Sequence, residues 1–174
     1  MRKTIAFILT VGVFVIGLRC SSNEEDNGLT FAQQFSIDSA AIEQYLLDNN
    51  ITNALFDPDS LVRYILLRDG EGTFSPSKNQ CVRVNYSGRF FPDGDVFDAD
   101  TLASFYVDGV ISGWTIVLQQ LQQGDSIRLF VPSGLAYGSA GRGSSIPANA
   151  ILEFNMGIDK IGTYISNNSK QCEL

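Results

Sequence analysis

The chain has 174 residues, 44% hydrophobic and 18% charged, and 12 basic against 19 acidic side chains leave a net charge of −7. This composition suits one globular domain with a short appendage, and the acidic balance argues against a nucleic-acid partner. There is no histidine, which excludes His-based triads, the commonest metal ligand and the usual general base near neutral pH. Cysteines at 20, 81 and 172 show no CxxC spacing, so neither a metal nor another cofactor is expected.

Arg2 and Lys3 precede a run from Thr4 to Leu18 that carries no charge. That length suits a signal-peptide core and is short for a membrane span. Cys20 follows, then Ser21, Ser22, Asn23, Glu24, Glu25 and Asp26. The arrangement resembles a bacterial lipoprotein signal. The resemblance implies removal of residues 1–19, a lipid on Cys20 and a membrane anchor through it. The chain would then sit in the cell envelope on the outer membrane, facing the periplasm or the surface. Gly17-Leu18-Arg19 departs from the small residues usual before such a cysteine. A plain secretory peptide or an uncleaved anchor are the alternatives.

Residues 20–35 are polar and acidic and read as a flexible tether. Residues 36–56 form an accessory helical segment. In it Ile37, Ala41, Tyr45 and Leu46 share one helical face, Ser36 or Asp38 can cap the start, and Asn49-Asn50 can stop it. From Leu61 the period shifts to strands: 61–67, then 82–86 after the turn Asp69-Gly70-Glu71-Gly72. A short helix is predicted from Trp114 to Gln122, then strands at 126–131 and 151–158. Between those strands lies a polar, glycine-rich loop, 133–150. Antiparallel strands with one central helix make an α+β layer in which a curved sheet wraps the helix.

Five segments carry a more specific signal. They are Val84-Asn85-Tyr86-Ser87-Gly88, Gly94-Asp95-Val96-Phe97-Asp98, Val110-Ile111-Ser112-Gly113-Trp114, Leu135-Ala136-Tyr137-Gly138 and Ile146 through Phe154. In order and approximate spacing they resemble the FKBP-type peptidyl-prolyl cis/trans isomerases over residues 60–162, leaving 163–174 as a tail. The resemblance implies rotation about X-Pro bonds in exported polypeptide clients, by a monomer that needs no cofactor. It also implies a pocket able to take macrolide ligands.

By the same resemblance, Trp114 floors an aromatic cup for the prolyl ring. Tyr86, Phe97, Val110, Ile111 and Phe154 form its walls, Phe105 reaches its edge and Ile146 lies near its rim. The backbone N–H of Ile111 and the hydroxyl of Tyr137 donate to substrate carbonyls, and Asp98 sits beside the Tyr86 hydroxyl. Taken singly, each aromatic residue reads more readily as core. Two departures stand out. No basic residue follows Asp98 within Ala99–Ser104 to support it, and Arg142-Gly143-Ser144-Ser145 is more polar than the family norm. A noncatalytic proline-binding chaperone and a surface interaction lipoprotein therefore stay open as alternatives. Cys81 opens the strand bearing Tyr86, and Cys172 lies beyond the family's last strand. The family's strand pairing makes them candidates for a disulfide in an oxidising envelope.

Overall fold

The computed structural model describes residues 28–59, 61–165 and 171–174. Residues 1–19, Cys20 and the first part of the tether lie outside the described residues. The accessory helix, α1, spans Phe31–Asp48, so residues 31–35 are helical and not tether. Its start is fixed by a reciprocal cap: the Gln33 N–H donates to Thr30 Oγ1 at 3.3 Å, and the Thr30 N–H donates to Gln33 Oε1 at 2.9 Å. Neither Ser36 nor Asp38 caps it. At the other end the helix stops at Asp48, and Asn50 turns the chain with a φ of 55°. The buried face carries Asp38, Ile42 and Leu46, while Ile37 is 52% exposed. A carboxylate at the head of that stripe hid the true face from hydrophobic periodicity.

Among the described residues, seven strands form one sheet: β1 (Leu55–Phe56), β2 (Arg63–Arg68), β3 (Gln80–Phe90), β4 (Val96–Tyr106), β5 (Ser126–Val131), β6 (Leu152–Ile165) and β7 (Gln171–Glu173). The order is β1-β2-β5-β6-β3-β4, all antiparallel, with β7 paired to the far end of β6. The second helix, α2, spans Ser112–Leu118 and lies in the hollow of the sheet. It starts before Trp114 and ends well short of Gln122.

Alternation along β5 shows why both helices are held. Ile127, Leu129 and Val131 belong to the cluster around α2 with Trp114, Val117 and Leu118, whereas Phe130 packs with Ile42 and Leu46 of α1. Successive strand residues face opposite sides, so this central strand is buried on both faces. On the α1 side, Arg128 Nε and Nη2 donate to the two Glu153 carboxylate oxygens at 2.8 and 2.9 Å, and Nη2 also donates to Tyr45 Oη at 2.8 Å. The hydrogen bond to Glu153 is the chief reason the guanidinium pKa lies above its ordinary value. Cys81 of β3 and Cys172 of β7 are joined as a disulfide, with Cα atoms 5.7 Å apart.

Candidate functional site

The cup is built where β3, β4 and β6 curl over the first turn of α2. The Trp114 ring meets Tyr86, Phe105 and Phe154 edge-on, at centroid distances of 5.1, 5.6 and 5.2 Å. Phe97 joins through Phe154 at 5.8 Å. Edge-to-face contacts of this kind fix ring orientation as well as burying area. Gly88 makes the approach possible: a Cβ there would lie 2.6 Å from the Phe154 ring and 2.7 Å from that of Phe97. The backbone of β3 therefore passes directly beneath two rings.

These rings open onto a cavity of about 500 Å³. Of the residues singled out from sequence, Tyr86, Phe97, Asp98, Phe105, Val110, Ile111, Trp114, Tyr137 and Phe154 all line it. Ile146 does not. It is 2% exposed and part of the central core, where its backbone closes the turn that carries Arg142: the Arg142 N–H donates to Ile146 O at 2.8 Å. Gly109 and Ala136 also line the cavity, and so does Arg142, which the sequence marks only as part of the polar segment Arg142-Gly143-Ser144-Ser145 and not as a site residue. For Arg142 the signal was available in sequence, as the lone cation of the polar loop. A separate cleft of about 590 Å³ runs along Arg68–Phe74 and Gln123–Gly124, with Phe74 as its single aromatic ring.

Polar groups sit at the cavity's edges. Tyr86 Oη donates to Asp98 Oδ2 at 3.0 Å, and Asp98 has no cationic partner among the described residues. Burial first, then the bond to Asp98, pushes the Tyr86 phenol up to about 12, so it stays neutral at any physiological pH. Arg142 Nη1 donates to Tyr137 Oη at 3.1 Å. That bond uses the oxygen as acceptor and leaves the phenolic proton free to be donated elsewhere. The indole Nε1 of Trp114 is buried without a hydrogen-bond partner. An unpaired buried donor costs about 1–3 kcal/mol, so packing alone would be better served by Leu or Phe.

The turn before Tyr137 is anchored from outside the cup. Asp38 of α1 accepts from the Ser133 N–H and hydroxyl, and a Cβ on Gly134 would strike the Phe31 ring at 2.5 Å. The helix read as an accessory thus packs on the turn that leads to Ala136 and Tyr137.

A curved antiparallel sheet around one helix, with a ring-lined cavity between them, defines an α+β binding-cup class of protein. The family model for FKBP-type peptidyl-prolyl cis-trans isomerases matches residues 72–158. The probable FKBP-type isomerase FkpA of Neisseria meningitidis is 35% identical over 133 residues, covering 74% of this chain and 48% of the relative. The FKBP-type 22 kDa isomerase of Escherichia coli is 34% identical over 128 residues, covering 71% and 61% respectively. The crystal structure of a peptidyl-prolyl isomerase from Pseudomonas syringae superposes with a TM-score of 0.62 at 32% identity. That match covers 72% of this chain and 94% of the other. The chain belongs to the FKBP-type peptidyl-prolyl cis-trans isomerase family. It spans roughly half to three-fifths of the length of these two curated relatives.

Proposed function

We propose that this chain catalyses cis/trans rotation about X-Pro bonds of exported polypeptides in the cell envelope. The observation that carries the reading is the convergence of Tyr86, Phe105 and Phe154 on Trp114, with Phe97 against Phe154, around one cavity. Resonance holds the planar amide behind a barrier of about 18–20 kcal/mol. The twisted amide has lost that resonance and carries less charge separation. Taking the planar form out of water therefore destabilises it more than the twisted form, and each 1.36 kcal/mol of that difference is a tenfold gain in rate.

In this mechanism the prolyl ring sits over the Trp114 indole, against Phe154 and Tyr86. The Tyr137 hydroxyl, its oxygen already engaged by Arg142, donates its proton to a flanking carbonyl, and the Ile111 N–H holds another. No residue gains or loses a proton during rotation. Macrolides of suitable size would compete for the same cup, with Asp98 and Arg142 among its lining residues.

A second reading is proline binding without turnover. It is favoured by Asp98, which bonds Tyr86 but forms no ion pair among the described residues. Envelope location with a lipid on Cys20 is part of the proposal. The leader pattern supports it, and so does the Cys81–Cys172 disulfide, a bond that persists in oxidising compartments. Labelled fatty acid incorporated into the wild type and absent from Cys20→Ala tests the anchor.

The test of activity is relaxation of a Leu-Pro peptide from cis to trans. Submicromolar protein should accelerate it, and Trp114→Leu should lower kcat/KM about tenfold or more, equivalent to about 1.4 kcal/mol at the transition state. Peptide binding with no acceleration would select the second reading.

A further inference from the structure

We propose that Arg142 is a specificity-determining residue that favours an acidic side chain adjoining the proline of the bound peptide. This rests on the isomerase reading of the cup. Two of the residues lining the cavity carry charge, Asp98 and Arg142. Asp98 is engaged by the Tyr86 hydroxyl. Arg142 lies over the Tyr137 ring, with Cζ 5.5 Å from its centroid, and spends one donor on Tyr137 Oη. A guanidinium has five N–H donors and accepts none. No carboxylate pairs with this one among the described residues.

The cation is held in place by its backbone. The Arg142 N–H donates to Ile146 O at 2.8 Å, and the Ile146 N–H returns to Arg142 O at 3.2 Å. Gly141 precedes it with a φ of 63°, where an added Cβ would collide with the Ile146 carbonyl. Buried Ile146 pins this tight turn, so the guanidinium base does not wander with a loose loop. The phenol it touches is the group that holds a substrate carbonyl. A carboxylate on the residue bearing that carbonyl falls within reach of the unused guanidinium donors, in the fork geometry arginine offers to carboxylates.

Arg142 is exposed, so the gain is that of a surface ion pair, about a 1.4- to fivefold preference. The net charge of −7 opposes acidic peptides at long range. Screening beyond about 8 Å at physiological salt leaves the local contact dominant.

The experiment compares otherwise identical peptides with Glu, Gln or Lys before proline, using the full-length chain in mild detergent at physiological salt. The Glu-to-Gln ratio of kcat/KM should be about 1.4 to five in the wild type and approach one in molar salt. Arg142→Gln should bring the ratio to one, Arg142→Lys should keep part of it, and Arg142→Glu should shift preference to the Lys peptide. A wild-type ratio of one or below, or a ratio unchanged in Arg142→Gln, overturns the proposal. If no peptide is accelerated, the isomerase reading fails separately. The same comparison is then made on dissociation constants read from Trp114 fluorescence, where equal Glu and Gln affinities overturn it.

Discussion

The carboxylate of Asp38, in the middle of α1, accepts from both the backbone N–H and the hydroxyl of Ser133, at 2.7 and 2.5 Å. Asp38 is 2% exposed and Ser133 fully buried. Gln34 Nε2 donates to the other carboxylate oxygen at 2.7 Å. The charge is thus satisfied by three donors, and two of them belong to the turn that presents Ala136 and Tyr137 to the cavity.

Removing that acceptor should be expensive. Asp38→Ala leaves the Ser133 N–H and hydroxyl unpaired in the interior, and a loss of about 2–4 kcal/mol is expected by urea denaturation. Asp38→Asn keeps one acceptor oxygen and should lose about half as much. A loss under about 1 kcal/mol for the alanine variant would mean that α1 is not fastened through this contact.

The raised pKa of Tyr86 gives a second check. Its folded value, about 12, lies above the ordinary 10, so the neutral phenol is the form that folding favours. The resulting stability is complete below pH 10 and is lost as pH climbs from about 10 to about 12. Phenolate absorbance of the wild type minus that of Tyr86→Phe should rise with a midpoint near 12. A midpoint at the ordinary value would show that the phenol is neither shielded nor held by Asp98.

The disulfide closes a loop with a sequence separation of 91 residues. Loops of that size restrict the unfolded chain enough for reduction to lower stability by about 2–4 kcal/mol. Denaturant midpoints with and without a thiol reductant measure it. No cavity-lining residue lies on β7, so the reduced protein, while still folded, should bind proline peptides as the oxidised form does. Loss of binding on reduction at low denaturant would contradict this separation of staple and cup.

The cup was more legible in the sequence than its scaffold. Tyr86, Phe97, Trp114 and Phe154 sit in short motifs whose order and spacing specify a register, so four rings far apart in the chain could be brought to one place. The edge strand β4 was missed because an edge exposed to water shows no alternation. Its residues 98–102 are all exposed, and Leu102 has a φ of 58°. On α1, Tyr45 and Leu46 face the core as read, but Ile37 and Ala41 do not, because the buried face begins at Asp38, and a buried carboxylate can be recognised only once Ser133 is seen beside it. Ile146 matched the family pattern, yet its side chain serves the core and its backbone serves Arg142. Linear pattern carries none of these long-range polar pairings.

The central claim is that a water-poor ring of side chains eases rotation of the prolyl bond with no proton in flight. Exchange between the cis and trans forms of a proline peptide, followed by NMR with catalytic amounts of protein in H₂O and in D₂O, tests it most directly. Accelerated exchange with nearly equal rates in the two solvents, level from about pH 6 to 9, where no Tyr86 proton is lost, is the expected result. Exchange no faster than the peptide alone, or a severalfold slowing in D₂O, would contradict it.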